Sequence, residues 1–345
     1  MKFSIAVNME RYDPAQDMQG VARNALELVQ IAEQGGFDIA WAAEHHGVEM
    51  TVAPNPFQIL LYWAGQTERI RLGTAVVVAP YWHPLRLAGE AALCDVLSDG
   101  RLELGIARGA FQYEFDRMAA GIRGESGVSY MKELLPAIRA LWQGDYAHDG
   151  EHWSFPTATS VPKPLQQPHP PIWVAARDAG SMDWAFTIGA GLLTTPLQKP
   201  NSEIQVLADR FNETAANHPG VARPPFLMMR RTCVFDKPED VKIPAAASIE
   251  YARRFENLFL NAGAVHNGFP QPVDAETINK RADYSVETLS ENLLFGTPEV
   301  AIEKLKLYEN AGVDMFCYNP VFGIDYSFSR RSLELFIERV MPAFQ

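Results

Sequence analysis

Short apolar runs alternate with longer amphipathic segments along almost the whole chain. Eight of the runs have the length and composition of strands, and they cover residues 3–7, 39–45, 71–78, 101–108, 171–176, 191–195, 226–235 and 315–319. Apolar residues at spacings of three and four lie between them and predict helices. One example is "ARNALELVQIAEQGGF" (22–37), whose glycine pair suits a helix C-terminus. A last amphipathic segment, "RSLELFIERVMPAF", predicts a helix at the end of the chain.

Strands that are apolar on both faces, each followed by a helix, predict an α/β fold of the (β/α)8 TIM-barrel type. A doubly wound parallel sheet is the alternative architecture. The pattern predicts a single domain over residues 1–345, because α/β barrels commonly reach about 250 residues or more as one unit. Two segments exceed ordinary connections, at about 144–170 and 262–292, and the second is a candidate lid.

Composition narrows the range of partners and compartments. The chain has 42 acidic and 30 basic residues and a net charge of −12, so its surface repels phosphate backbones and anionic lipid. We therefore expect no nucleic acid and no membrane as partners. The start lacks the long apolar region of a signal peptide, and no apolar run approaches the roughly 20 residues that span a bilayer. Three widely separated cysteines fit buried thiols in a reducing compartment, and we expect a cytoplasmic protein.

Three ionisable side chains follow the second apolar run, in the order Glu44, His45, His46. In a barrel, residues at the carboxyl ends of strands form the active face. Strand alternation puts Glu44 and His46 on one face and His45 on the other, so the adjacent imidazoles cannot easily chelate one ion. No third ligand stands nearby, and no metal site is expected. A functional imidazole is favoured over a purely structural polar strand end.

Cationic and hydroxyl side chains follow the next two buried strands. Arg108 ends the fourth strand, and the fifth passes into a helix through Arg177, Asp178 and Ser181. Guanidinium groups and the free N–H groups of a helix start can gather around a phosphate. Two alternatives stay open: Arg108 could pair with Glu114 on the surface, and Asp178 could be the helix N-cap.

The order of these motifs resembles that of the bacterial luciferase-like, flavin-dependent monooxygenases, and is closest to the luciferase α-subunit branch. The resemblance covers nearly the whole chain and rests on "FDIAWAAEHHG", "RIRLGTAVVVAPYWHPLR", "DGRLELGIARG", "PPIWVAARDAGSMDWA" and "FGTPEVAIEKL". It implies a TIM barrel that takes reduced FMN as a co-substrate from a separate NAD(P)H:flavin reductase and activates dioxygen. It also implies a homodimer, formed through the helices that follow strands two and three.

The resemblance further implies roles for single residues. His45 matches the catalytic histidine, which would stabilise a flavin hydroperoxide, and Glu44 matches an acid that supports the flavin site. The matching cofactor-binding positions are Ala75 and Val76 at a cis peptide, Arg108 near the phosphate, Ala176, Arg177, Asp178 and Ser181 in the phosphate turn, and Thr195 beside the ring. We expect a small, largely apolar substrate, such as an aldehyde, a ketone or a hydrocarbon, with Met9, Trp82 and Phe111 as pocket walls.

Other functions remain open on the same fold. Related barrels use a deazaflavin for hydride transfer, and some luciferase relatives hold flavin without known turnover. A metal-dependent barrel lyase or hydrolase is a third, unrelated possibility. Luciferases carry a cysteine at the position of Ala107 and a tryptophan at that of Pro196, so light emission is not expected here. For the dimer, small residues on the third helix would allow close helix contact: Ala88, Gly89, Ala91 and Ala92.

Overall fold

Eight parallel strands form a closed barrel in the computed structural model, which describes residues 1–260 and 263–344. In chain order the barrel strands are β1 (Lys2–Ala6), β2 (Ile39–Ala42), β3 (Arg71–Thr74), β4 (Leu102–Ala107), β5 (Ile172–Ala175), β6 (Gly191–Thr194), β7 (Phe226–Val234) and β8 (Met315–Asn319). Each strand pairs with the next, and β8 also pairs with β1, which closes the ring. The expected TIM barrel and its eight strands are confirmed.

Helices follow every barrel strand and cover the outside of the ring. They are α1 (Met18–Gln34), α2 (Pro56–Ala64), α3 (Pro84–Leu97), α4 (Gln112–Met118), α5 (Gly127–Gln143), α6 (Ala179–Thr187), α7 (Ser202–Asn217), α8 (Lys242–Leu260), α9 (Ala275–Asn279), α10 (Val286–Asn292), α11 (Pro298–Asn310) and α12 (Tyr326–Leu335). The segment expected as one final helix is α12 followed by a π-helical turn and a 3₁₀ turn. The buried faces of most of these helices and the outward faces of the strands form the main apolar core, and those of α8, α9 and α10 belong to a second cluster.

The ends of α1 show how the sequence sets the limits of a helix. The side chain of Asp17 accepts hydrogen bonds from the backbone of Gln19 and Gly20 and caps the first turn. The helix stops at the glycine pair, where Gly36 has a φ of 84° that favours glycine. The expected helix at 22–37 is therefore confirmed, with an earlier start.

Most expected strands differ from their apolar runs by one or two residues, but two of them end well before their runs do. The second run ends as a strand at Ala42, because the backbone then makes a bridge from His45 to Ala53 instead of following β3. The third run is divided after Thr74, and a separate short strand at 77–78 pairs with β4. The Ala75–Val76 peptide between the two parts is cis, as the resemblance implied.

Two indoles fill the barrel below the strand ends. The rings of Trp41 and Trp173 meet edge to face with centroids 5.5 Å apart. Trp41 packs on Gly73 and Trp173 on Gly191, where any side chain would collide with the indole. The barrel interior is therefore packed rather than open at the level of the two indoles.

The two long insertions contain secondary structure of their own. The first, expected at 144–170, holds an antiparallel hairpin of Tyr146–Asp149 and Ser154–Ala158. The second, expected at 262–292, holds a small hairpin of Val265–His266 and Phe269–Pro270, and then α9 and α10. Ala262, its first residue, lies outside the described residues.

The exposed face of α3 differs from the one expected for a dimer contact. Ala88, Ala91 and Ala92 are fully buried within the chain, because α3 packs closely against α2 and α5. The interpretation of these small residues as the dimer contact is therefore wrong. The face that α3 leaves exposed carries Leu93 and Leu97 instead.

No helix within the described ranges is long and apolar enough to cross a membrane.

Candidate active site

A cavity of about 510 Å³ opens where the barrel strands end, the position at which TIM barrels carry their active sites. It is lined by every catalytic and cofactor-binding residue expected from the sequence: Glu44, His45, Ala75, Val76, Arg108, Ala176, Arg177, Asp178, Ser181 and Thr195. Of the three expected substrate contacts, Phe111 lines the cavity, whereas Met9 and Trp82 are not among the described residues of its wall.

Strand alternation explains the position of Met9. Ala6, Asn8 and Glu10 follow one another at every second position of the first strand and its extension, and all three line the cavity. Met9 lies between them, faces the other way and packs against the main core. Its assignment to the substrate pocket is therefore wrong.

Glu44 is a buried carboxylate that holds the ends of two strands together. Its Oε2 accepts hydrogen bonds from the backbone N–H of Val78, at 2.7 Å, and from Nε1 of Trp82, at 2.9 Å. Its Oε1 lies 2.8 Å from Nε2 of His46. Trp82 therefore supports Glu44 from behind the cavity wall and does not contact the cavity itself. These partners satisfy a charge that would be costly to bury alone.

His45 is fixed by a second buried carboxylate. Its Nδ1 lies 3.0 Å from Oε1 of Glu114, and the same oxygen accepts the backbone N–H of His46 at 2.8 Å. Because a carboxylate only accepts hydrogen bonds, Nδ1 of His45 carries a hydrogen, and Nε2 is the nitrogen left to exchange a proton in the cavity. The ring of Phe111 lies beside the imidazole, with centroids 5.2 Å apart.

The sequence did not reveal Glu114 as the partner of His45. The two residues are 69 positions apart, and Glu114 resembles any acid in the first turn of a short helix. The suggested pairing of Arg108 with Glu114 is wrong, because Glu114 is buried against the histidines. The guanidinium of Arg108 is exposed and donates to the carbonyl of Gly124 at 3.3 Å.

The turn after β5 is organised by Asp178, which is the N-cap of α6. Its carboxylate accepts from the backbone N–H and the hydroxyl of Ser181, each at 2.8 Å. Burial opposes ionisation, but these hydrogen bonds and the nearby charge of Arg108 lower the pKa of Asp178 below its usual value. The N-cap alternative is confirmed, and the hydroxyl of Ser181 is engaged within the turn.

The two cavity arginines at this end have different surroundings. Arg177 forms an ion pair with Glu203 of α7, with Nη2 3.0 Å from Oε1. Arg108 has no carboxylate within ion-pair distance among the described residues. Arg108 is therefore the cation whose charge is available to an anionic ligand, while Arg177 adds a partly neutralised charge beside it.

The cavity also has a slot lined by small side chains. Five neighbouring strands or strand ends each contribute one alanine to the wall: Ala6, Ala43, Ala75, Ala107 and Ala175. Methyl groups leave room for a flat ring system to lie close to the backbone, and Arg108 stands at one side for an anionic tail. The volume is in the range typical of cofactor sites, so these residues fit a flavin mononucleotide.

The far wall of the cavity carries a cluster of ionisable side chains that was not expected from the sequence. Glu10 accepts from the hydroxyl of Tyr12 at 2.6 Å and from the backbone N–H of Gly323 at 2.9 Å. The guanidinium of Arg231 lies over the ring of Tyr251, 4.1 Å from its centroid. Glu10, Arg231 and Tyr251 all line the cavity. Period-two alternation along the first and seventh strands is the signal that could have found Glu10 and Arg231.

The upper wall comes from α8 rather than from the candidate lid. Tyr251, Phe255 and Leu258 of α8 line the cavity, whereas no described residue of 263–292 does so. The small hairpin of that insertion packs on the loop after β2, where the backbone N–H of Glu49 donates to the carbonyl of Gly268 at 2.7 Å. The insertion therefore supports the rim of the cavity from outside.

The described ranges contain no group of three His, Cys, Asp or Glu side chains that could hold a metal ion. His45 and His46 are tied to different carboxylates, Glu114 and Glu44. Their rings are therefore held apart and do not form part of one ligand set.

A cavity lined by alanines at the carboxyl ends of a TIM barrel, with an arginine at one side, is suited to a flavin. The chain belongs to the luciferase-like monooxygenase family, whose sequence model matches residues 1–315. The family expected from the sequence motifs is confirmed.

Three relatives are similar to this chain in sequence. The oxygenase component of a flavin-dependent trigonelline monooxygenase from Acinetobacter baylyi is 40% identical over 344 residues, which covers 100% of this chain and 96% of that protein. An alkanal monooxygenase alpha chain from a Kryptophanaron alfredi symbiont is 30% identical and covers 60% of this chain and 58% of its own length. An FMNH(2)-dependent dimethylsulfone monooxygenase from Pseudomonas putida is 26% identical, and the match covers 84% of this chain and 80% of that protein.

A solved structure supports the fold. The monooxygenase RslO1 from Streptomyces bottropensis superimposes with a TM-score of 0.82, at 24% identity and with 100% of both chains covered. Likeness at this identity shows the shared barrel architecture.

The environment of Glu10 predicts a pH dependence of stability. Burial raises the pKa of Glu10 from 4.5 to about 7, against the opposing effects of Tyr12, Gly323 and Arg231. The unfolded chain loses this proton near its ordinary pKa while the folded protein keeps it, so stability falls as the pH rises to about 7. The shift corresponds to about 3 kcal/mol. We expect Glu10→Gln to remove most of this loss, measured by urea unfolding at pH 5 and pH 8.

The exposed Glu68→Gln is the matched control and should follow the wild type at both pH values. Equal losses of stability in wild type and Glu10→Gln between pH 5 and pH 8 would contradict the prediction.

Proposed function

We propose that this chain is the oxygenase component of a two-component flavin-dependent monooxygenase. It would use reduced FMN from a separate NAD(P)H:flavin reductase, and dioxygen, to oxygenate a small organic substrate. The observation that carries the proposal is the placement of His45, fixed by Glu114, in the same cavity as the alanine slot and Arg108. The trigonelline and dimethylsulfone monooxygenase relatives, named as flavin- and FMNH(2)-dependent, support the choice of cofactor.

FMN would lie with its ring against Ala75, Val76 and Thr195. Its phosphate would lie at Arg108 and the turn of Ala176, Arg177, Asp178 and Ser181. All of these residues line the cavity. Reduced FMN, when bound, supplies the two electrons with which dioxygen gives one oxygen atom to the substrate and one to water. The helix start at Asp178 and the exposed guanidinium of Arg108 favour an anion at that end.

His45 would hold or move a proton at its Nε2 in the cavity. The hydrogen bond from Nδ1 to Oε1 of Glu114 would fix the orientation of the ring and leave Nε2 for the reacting groups. Glu44 would act through position, since its carboxylate holds Val78 and Trp82 below the ring site. Exclusion of water is the task of the apolar side chains of the wall: Val48, Met50, Phe111, Phe255 and Leu258.

The portion of the substrate that reacts would lie against these apolar side chains, next to His45. Aldehyde, ketone and hydrocarbon groups are compatible with such surroundings, because they need no ionic partner. The test is an assay of purified protein with FMN, a general flavin reductase, NADH and ¹⁸O₂, using a panel of alkanals, trigonelline and dimethyl sulfone. We expect one ¹⁸O atom in the product of at least one compound.

Two results would contradict the proposal. One is tight binding of a reduced deazaflavin with no affinity for reduced FMN under anaerobic conditions, which would favour hydride transfer. The other is binding of reduced FMN without any substrate-dependent uptake of oxygen over a broader panel of carbonyl compounds, which would favour a flavin-binding protein without turnover.

Replacement of His45 tests its role in coupling. We expect His45→Ala to lower product formation by about 100-fold, as for loss of a general acid–base group, while release of hydrogen peroxide increases. Affinity for FMN should change little, because His45 contributes no charge to the phosphate end. Product, peroxide and FMN affinity are measured side by side, with the exposed His266→Ala as control. Wild-type coupling in His45→Ala would show that His45 has another role.

Arg108 offers a test of where the phosphate binds. We expect Arg108→Met to weaken the binding of FMN by about tenfold, the size of one charge-assisted contact at an exposed site. The affinity for riboflavin should stay unchanged, because riboflavin has no phosphate. Fluorescence titration with both flavins measures the difference. Arg69 is an exposed arginine two residues before β3, and Arg69→Met removes the same charge elsewhere. Equal losses for FMN and riboflavin would place the phosphate away from Arg108.

We also propose a homodimer formed through α3 and the insertion that lies beside it. Leu93, Leu97 and Val161 are exposed, Val161 to 81%. The carbonyl of Val161 is 3.7 Å from the position that a side chain on Gly89 would occupy, so the insertion extends the same apolar face. Exposed apolar clusters of this kind are typical of protein–protein contacts.

A charge placed on this face should separate the subunits. We expect the wild type to scatter light as a dimer at micromolar concentration and Leu97→Glu to be mainly monomeric, because burial of an unpaired carboxylate is costly. Leu307→Glu on α11, where the leucine is exposed to 43%, should stay dimeric. A monomeric wild type at that concentration would refute the dimer.

A further inference from the structure

Arg231 ends a row of inward-facing side chains on β7. Leu227, Met229 and Arg231 alternate along the strand and line the cavity. The neighbouring residue on β8, Asn319, also lines it. A guanidinium at the end of an apolar row is partly removed from water. The cost of this partial desolvation is offset only if the charge has a hydrogen-bonding or ionic partner.

Among the described residues, Arg231 has an aromatic partner but no ion pair. Its guanidinium lies 4.1 Å from the centroid of the Tyr251 ring. No carboxylate oxygen lies within the 4.0 Å ion-pair distance of Arg231 in the described part of the chain, in contrast to Arg177 and Glu203 at 3.0 Å. The planar fork of an arginine is suited to two parallel hydrogen bonds with a carboxylate.

Glu10 is the nearby acid, and it is engaged elsewhere. Its Oε2 accepts from Tyr12 and from the backbone of Gly323. Burial raises the pKa of Glu10 to about 7 even though Arg231 opposes the shift, so near neutral pH part of the population is uncharged. Among the described residues, Glu10 therefore balances the positive charge of Arg231 only in part.

A continuous aromatic wall connects this arginine with His45. Phe111 lies beside His45, and its ring meets that of Phe255 edge to face with centroids 5.6 Å apart. Phe255 in turn lies nearly parallel to Tyr251, at 5.6 Å and 22°. A flat molecule could lie along these rings with one end at His45 and the other at Arg231.

We propose that the substrate of this site is a small carboxylate with a planar or aromatic body, whose carboxylate binds Arg231. The inference rests on the proposed function and extends it, since the apolar part of the molecule is the part that reaches His45. The sequence predicted a largely apolar substrate. The proposed substrate is instead an anion whose reacting end is apolar. Arg231 is thereby a specificity residue for the substrate, on β7, separate from the phosphate end at β4 and β5.

Matched acid and amide pairs test the inference without turnover. The probes are benzoate against benzamide and hexanoate against hexanamide, titrated calorimetrically into protein saturated with oxidised FMN. We expect benzoate to bind the wild type at least tenfold more tightly than benzamide. Arg231→Met should lower benzoate affinity by about 10- to 100-fold, the range of charge-assisted hydrogen bonds, and change benzamide by less than about threefold.

Two further variants control for charge and folding. Arg231→Lys keeps the charge but loses the fork, and benzoate should bind it with intermediate affinity. Arg69→Met, which removes a distant exposed charge, should bind both probes as the wild type does. Thermal melting checks that each variant folds. If Arg231→Met does not fold, the affinities of Arg231→Lys for benzoate and benzamide provide the test.

The inference is overturned if neither acid is preferred over its amide, or if the preference survives in Arg231→Met. Failure of the proposed function is a separate result, because it requires the wild type to lack affinity for FMN or to incorporate no ¹⁸O. A preference for benzenesulfonate over benzoate would also overturn the assignment, since it would indicate a site for a different anion.

Discussion

The site depends on the burial of two carboxylates, Glu44 and Glu114, beside the end of β2. Each is 2% exposed, and a buried carboxylate is tolerated only if its oxygens are hydrogen-bonded. Glu114 meets this need with the His45 ring and the backbone of His46, and Glu44 meets it with Trp82, Val78 and the His46 ring. The two imidazoles are therefore positioned by the same requirement that keeps the carboxylates stable, which makes the geometry of His45 a property of the fold.

Most of the fold follows from the sequence, because a parallel strand covered on both faces must be apolar throughout. All eight runs are barrel strands. The limits of two runs could not be predicted, since they depend on tertiary contacts: the bridge from His45 to Ala53 stops β2. The stripe on α3 was misassigned for a related reason. Small residues permit close approach of a helix, but the sequence does not show whether the neighbour is α5 of the same chain or another subunit.

The site residues divide in the same way. Residues next to strand ends were predictable, because the carboxyl end of a barrel strand faces the active site wherever the strand lies in the ring. Glu114 and Trp82 were not, since their roles come from side chains that are distant in sequence. Met9 and Arg231 differ from both cases. Alternation of side chains along β1 and its extension would have excluded Met9 from the cavity wall. The same alternation along β7 would have predicted that Arg231 lines the cavity.

The distribution of charge around the cavity gives a reason for two separate cationic positions. Arg108 and Arg177 stand at the ends of β4 and β5, and Arg231 stands on β7. An anionic cofactor and an anionic substrate in one cavity would repel each other strongly, because the local dielectric is low. In the proposed binding mode, separate cations would neutralise each anion where it binds and would hold the two apart, with the aromatic wall from His45 to Tyr251 between them. A chain of net charge −12 repels anions at long range, so affinity for them must come from such local cations.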